Sequence, residues 1–91
     1  MLEIDISKDS ERFLKKLLPK HAKQIARKIF GLAEYPYPAD SQELRGYEDY
    51  RRADIGEYRI IYRVSPRVLF VVLIGKRNDD EVYRRFIRKA S

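Results

Sequence analysis

The chain has no cysteine in its 91 residues. That excludes disulfide bridges and thiolate metal sites. A small secreted domain commonly needs such cross-links, so the expected location is cytoplasmic. Long apolar runs are also absent. The longest, Val68 to Ile74, falls far short of the roughly 20 residues of a membrane-crossing helix, and no membrane partner is expected. Met1 to Ser10 has no apolar stretch of the signal-peptide kind. There is no internal repeat and no low-complexity segment. Neither a cofactor nor a metal is expected.

What remains fits one domain, residues 1–91, with 44% hydrophobic residues to build a compact core. The net charge is +6, and its distribution matters more than its size. Residues 1–43 hold eight Lys/Arg against seven Asp/Glu, a balance of +1. Residues 44–91 hold twelve against seven, a balance of +5, mostly from arginine. Arginine presents a permanent charge and a fork of donors that matches phosphate. A clustered excess of this kind points to an anionic partner, most often nucleic acid. The plain alternative is a solvated surface on an ordinary basic protein.

Leu2-Glu3-Ile4-Asp5-Ile6 alternates apolar and acidic residues, as a half-buried strand does. Ser7 or Asp9 can then cap a helix carrying Phe13, Leu14, Leu17 and Leu18. Pro19 suits the first turn of a second helix, whose apolar stripe runs through Ala22, Ile25, Ala26, Ile29, Leu32 and Ala33. The two should pack as a hairpin. Tyr35-Pro36-Tyr37-Pro38 ends the second helix, and residues 39–49 read as a loop with Leu44-Arg45-Gly46 its most organised part. Three strands follow: Tyr50 to Asp54, Tyr58 to Val64, and Val68 to Ile74. They are joined by turns at Ile55-Gly56 and Ser65-Pro66-Arg67. Val68 to Ile74 is apolar on both faces, as a central strand should be. Asp79 or Asp80 starts a last helix through Val82, Tyr83, Phe86 and Ile87. The order predicts an α+β fold: an N-terminal strand, a helical hairpin, a three-stranded antiparallel meander and a C-terminal helix, with the helices packed on one face of a four-stranded sheet.

Period 2 puts Tyr58, Ile60, Tyr62 and Val64 on one strand face, the predicted core side. Glu57, Arg59, Ile61 and Arg63 share the other. Arg77 follows the end of the central strand, and Tyr83 starts the last helix. Arginines hold phosphates and a tyrosine ring stacks on an unpaired base, so this face is a reasonable RNA site. The competing reading makes Arg59 and Arg63 outward-facing residues paired with Glu57 or Asp54.

Leu44-Arg45-Gly46, Gly56-Glu57-Tyr58-Arg59-Ile60-Ile61-Tyr62 and Gly75-Lys76-Arg77-Asn78-Asp79-Asp80-Glu81-Val82-Tyr83 resemble the RelE family of bacterial and archaeal toxins. The likeness covers most of the chain. The strand motif is shared with the related ParE gyrase toxins, whereas the segment from Gly75 to Tyr83 is more typical of the RNA-cleaving branch. The resemblance implies a type II toxin that enters the ribosomal A site and cuts mRNA without a metal. In that chemistry the 2′-hydroxyl attacks the adjacent phosphorus and leaves a 2′,3′-cyclic phosphate. It also implies a cognate antitoxin, and contacts to ribosomal RNA. By the same likeness, Arg59 braces the scissile phosphate, Arg77 stabilises the leaving oxygen, and Tyr83 positions or stacks on the substrate. A guanidinium is a poor proton donor, which makes the role of Arg77 mainly electrostatic. Arg45, Arg51, Arg52, Arg63 and Lys76 are the expected RNA-binding residues around them.

One departure stands out. The family pattern has a second basic residue where this chain has Asp54. Arg52 and Asp54 share a strand face and can pair. Alternatively Asp54 serves as a base, with Glu43 and Glu57 as further candidates. His21, the sole histidine, reads as a surface residue of the helical hairpin. Glu81 reads as a first-turn helix acid, and Lys15, Lys16, Lys20, Lys23, Arg84, Arg85, Arg88 and Lys89 as solvated faces able to touch ribosomal RNA. A groove around Phe13, Leu17, Ile25 and Ile29 is the expected antitoxin dock. The alternatives are a ParE-type gyrase inhibitor or a non-catalytic RNA- or antitoxin-binding homologue.

Overall fold

A computed structural model describes residues 1–78 and 80–90; the expected helix start at Asp79 lies outside the described residues. Strand β1 (Glu3–Ile6) leads to helix α1 (Lys8–Lys16) and helix α2 (Pro19–Glu34). Strands β2 (Ser41–Leu44), β3 (Tyr47–Ile55), β4 (Tyr58–Val64) and β5 (Val68–Lys76) follow, and helix α3 (Glu81–Ala90) closes the chain. Ser7 caps α1, its Oγ accepting from the Ser10 amide at 3.1 Å, and Pro19 occupies the first turn of α2. The sheet order is β1-β5-β4-β3-β2, with β1 parallel to β5 and the other pairs antiparallel.

The α+β class and the order of predicted elements are observed, with two corrections. First, the sheet has five strands and not four, because the supposed loop of residues 39–49 contains β2 and the start of β3. Gly46 makes this possible: at φ +83 it turns the chain within two residues. β2 is polar apart from Leu44, so it shows no alternation to read, yet Ser41 and Leu44 are both buried.

Second, the helices do not share one face. Ile25, Ile29, Leu32 and Ala33 of α2 pack with Ala53, Tyr58, Ile60, Tyr62, Leu69, Val71 and Ile74. Leu44, Ile61 and Leu73 form the floor of a second cluster with Val82 and Phe86 of α3. The register explains the division. Ile61 pairs with Leu73 but Tyr62 pairs with Val71, so Val72 is an extra residue in β5. The bulge sends Val71 and Ile74 toward α2 while Leu73 faces α3. Ile61, expected on an open cationic face, is therefore fully buried under α3.

The core also claims the proposed antitoxin groove. Ile25 and Ile29 are buried, and Phe13 and Leu17 pack against the same cluster. The apolar residues that the hairpin region does expose are Leu18, Phe30 and Tyr35. Among the described residues, no helix is long and apolar enough to cross a membrane.

Candidate functional site

The cleft lies between the β2–β4 side of the sheet and the start of α3, and β4 supplies its central cation. Asp54 and Arg59 are paired neighbours on β3 and β4, next to the tight Gly56-Glu57 turn. Directly opposed residues project to the same face. The Arg59 guanidinium accordingly donates from Nε to Asp54 Oδ1 at 2.8 Å and from Nη2 to Oδ2 at 3.3 Å. On its other side Arg59 pairs with Gly75, which has no side chain to crowd it. Gly75 also lets α3 approach: a Cβ there would lie 2.9 Å from the Val82 Cβ.

Two further groups close on this pair. Arg77, just beyond β5, brings its Nη1 to 3.7 Å from Asp54 Oδ2, and its backbone N–H donates to the Glu57 carbonyl at 3.0 Å. Asp80, in the left-handed region at φ 55, places Oδ1 3.8 Å from Arg59 Nη1. Its carbonyl accepts the Arg84 amide at 3.0 Å, at the start of α3. The cleft beside them, about 590 Å³, is lined by Gln42, Arg45, Arg52, Arg59, Asp80 and Tyr83, with Leu44 and Ile87 as apolar surface and Glu43 and Arg84 completing the wall.

Partial burial pushes the Asp54 carboxyl upward, but the hydrogen bonds and charge of Arg59, with the charges of Arg52 and Arg77, hold it below the ordinary aspartate value. The group is thus an ionised counter-ion at neutral pH and a weak proton acceptor. Tyr83 is half-buried and packs against the second core cluster while lining the cleft. Its ring is thus supported from behind and open toward a ligand.

The sequence-derived candidates separate into those that the structure gathers and those that it disperses. Arg45, Arg52, Arg59 and Tyr83 line the cleft, and Arg77 joins them through Asp54. Arg52 does not take Asp54 as its hydrogen-bond partner; its Nη2 donates to Gln42 Oε1 at 2.7 Å across the β2–β3 pair. Arg51 opposes Tyr62, on the face covered by α1 and α2. It donates to Ser41 Oγ at 2.8 Å and lies over the Tyr37 ring at 5.1 Å. Lys76 opposes Tyr58 on that same far face. Arg63 shares the face of Arg59, but four residues on, about 13 Å along the strand, where it stacks over Phe70 at 4.3 Å. Arg51, Lys76 and Arg63 are thus outside the cleft. His21 packs edge-on to Tyr58 at 5.9 Å, behind the sheet. Tyr58 and Tyr62 are buried, as expected of core residues. Glu43 borders the cleft but opposes Arg51 on β3, its Oε1 4.0 Å from Arg51 Nη1 on the far face, and Glu57 is exposed in the β3–β4 turn. The residues missed from sequence are Gln42 and Asp80: the first lay in the misread loop, and the second was read only as a helix start. Among the described residues, no group of three or more His, Cys, Asp or Glu is placed to hold a metal.

Comparison with known proteins gives this geometry a context. No curated protein sequence matches the chain. Among solved structures, a mutant of the E. coli toxin RelE in the free state is 25% identical, with a TM-score of 0.80 over 99% of this chain and 98% of that one. RelE from the archaeal RelE-RelB complex of Pyrococcus horikoshii OT3 is 26% identical, with a TM-score of 0.75 over 86% and 97%. A YoeB/ParE toxin from Agrobacterium tumefaciens, at 19% identity and a TM-score of 0.71 over 84% and 99%, shares the fold. The family model for the ParE toxin of the type II toxin-antitoxin system parDE matches residues 4–81. The chain therefore belongs to the ParE toxin family of type II toxin-antitoxin systems and is a toxin of the RelE/ParE fold.

Proposed function

We propose that this toxin is a ribosome-dependent mRNA endoribonuclease that blocks translation and is held silent by a cognate antitoxin. The observation that carries the reading is the convergence of Arg59 and Arg77 on one carboxylate beside a cleft with a supported tyrosine. Attack of a 2′-hydroxyl on the adjacent phosphorus forms one P–O bond and breaks the bond to the 5′ oxygen. The products are a 2′,3′-cyclic phosphate and a 5′-hydroxyl, with no water consumed. The 2′ proton must be removed and the 5′ oxygen must gain one. Between these events negative charge builds on the phosphorane oxygens. Fixed guanidinium groups stabilise that charge without reorganising. Arg59 serves as the phosphate brace, Arg77 stabilises the departing oxygen, and the ring of Tyr83 stacks on a base. Arg45 and Arg52 hold flanking phosphates. Asp54 is a poor proton acceptor, because its carboxylate is already committed to two arginines. Antitoxin complexes among the structural relatives, such as archaeal RelE-RelB, support the partner.

A gyrase-inhibiting toxin is the second reading, favoured by the ParE family model. Arg77 beside Asp54 and Tyr83 on the cleft favour the nuclease.

Cleavage of mRNA on programmed ribosomes, with gyrase supercoiling run in parallel, separates the two. Arg77→Ala should lower the cleavage rate by about a hundredfold to a thousandfold. Its stability should change by no more than roughly 0.5 kcal/mol, because the side chain is half-exposed. Arg63→Ala, far down the strand, should cleave at close to the wild-type rate. Wild-type cleavage by Arg77→Ala, or gyrase inhibition without cleavage, would refute the assignment.

A further inference from the structure

We infer that Asp54 is the positioning residue of this site, holding Arg59 and Arg77 together as a single preorganised clamp for the scissile phosphate. The inference rests on the nuclease reading and deepens it.

A carboxylate at this point is unexpected on simple electrostatics. It sits among arginines proposed to hold a phosphate, at a position where the family pattern has a second basic residue. Its geometry supplies the reason. Asp54 engages Nε and Nη2 of Arg59, one edge of the guanidinium, at 2.8 and 3.3 Å. A two-point contact of this kind fixes the plane of the group as well as its position. The Arg59 side chain is 13% exposed, so the fixed plane is also packed in place. Its remaining amine, Nη1, is directed to the outer edge of the pair, where exposed Asp80 approaches to 3.8 Å. A phosphate can replace that long, solvent-exposed contact.

Arg77 needs the same carboxylate for a different reason. Its side chain is 47% exposed and springs from the residue after the strand end. A second guanidinium beside Arg59 would be repelled into solvent unless a shared anion lay between them. Asp54 Oδ2 is that anion, 3.3 Å from Arg59 Nη2 and 3.7 Å from Arg77 Nη1. Two cations with different tasks are thereby held at a set separation.

The consequence is a trade between affinity and turnover. Asp54 adds negative charge near the phosphate, so it must weaken RNA binding. It must also raise the rate, because the arginines are aligned before the transition state forms. Removing it should move the two quantities in opposite directions, which a fold-supporting residue would not do; a proton acceptor would do the same, and is told apart by Asp54→Asn and by the Arg59→Ala background.

The test uses Asp54→Ala and the near-isosteric Asp54→Asn in the full chain. Single-turnover cleavage of ribosome-bound mRNA gives the rate, and a short 2′-O-methyl RNA, which cannot be cut, gives affinity. Asp54→Ala should slow cleavage by about ten- to a hundredfold, the range seen when the partner orienting a functional group is removed. The same change should tighten the probe by about threefold to tenfold as one screened negative charge is lost. Asp54→Asn, keeping one acceptor, should lie between. In an Arg59→Ala background the effect of Asp54→Ala on the rate should shrink several-fold, since most of its action passes through Arg59. An undiminished effect in that background would overturn the inference, as would a parallel fall in rate and affinity. If the wild-type protein cleaves nothing, the nuclease reading fails, and the clamp is judged by NMR. A restrained Arg59 Nε–H resonance that disappears in Asp54→Ala supports it; an unchanged resonance refutes it.

Discussion

Gly75→Ala probes the close approach that lets α3 form one side of the cleft. The added Cβ would stand 2.9 Å from the Val82 Cβ, 3.3 Å from Arg85 Nη2 and 3.4 Å from Val82 Cγ2. Carbon atoms in good contact lie about 3.5–4.0 Å apart, so the first distance is short by roughly 0.6 Å or more. The Arg85 amine terminates a flexible side chain, although it already donates to the Ile74 carbonyl at 2.7 Å. The Val82 Cβ is rooted in the helix and cannot yield alone. α3 must therefore move as a body, against Phe86 packed edge-on to Tyr47 and Tyr50 and Arg85 paired with Asp9 of α1 at 3.6 Å. Overpacking of this kind costs about 1–3 kcal/mol. Replacing glycine within a strand returns about 0.5–1 kcal/mol by restricting the unfolded chain. The net expectation is a loss of about 1 kcal/mol or somewhat more, which lowers Tm by roughly 4–8 °C per kcal/mol in a domain of this size. Urea unfolding and thermal melts measure the loss, and amide shifts confined to α3 and β5 locate it. Cleavage should fall too, since Tyr83 follows Val82 on the displaced helix. A variant as stable as wild type, with α3 amides unshifted, would show that the approach is not the constraint described.

Two further outcomes follow from the same structure. Tyr62→Phe removes a hydroxyl that donates to the Pro36 carbonyl at 2.7 Å from a fully buried ring; it should cost about 1 kcal/mol in urea unfolding without altering cleavage, and no change in stability would count against that hydrogen bond. Because the folded-state pKa of Asp54 lies below its unfolded value, its contribution to stability is fully present at neutral pH and is lost only as acid carries the pH below roughly 4 and on through the folded pKa; in Asp54→Asn the stability–pH curve should be flatter in that window, and identical curves would remove the ion pair from the folded state.

The α+β class, the two successive helices and the central strand were legible in the sequence because each rests on a local pattern. Pro19 at a helix start, the stripe from Ala22 to Ala33, and the run from Val68 to Ile74 report their structure through nearest neighbours and period. The likeness carried by residues 44–46, 56–62 and 75–83 marked Arg45, Arg59, Arg77 and Tyr83, all of which meet at or beside one cleft. What failed was long-range. β2 has little apolar content of its own and exists because β3 offers it an edge and Gly46 offers it a turn. Period 2 placed Arg59, Ile61 and Arg63 on one face but could not show that α3 would cover the middle of it, because that depends on the bulge at Val72 and on Gly75 admitting the helix. Nor could spacing choose a partner for Asp54. Arg52 is nearer in sequence, but the hairpin register sets Arg59 directly across the strand and brings Arg77 to the same carboxylate from the end of β5. The residue types thus determined that the chain would present a cationic face; tertiary pairing decided which charges meet there, because ion pairs act over a few ångströms of space irrespective of distance along the chain.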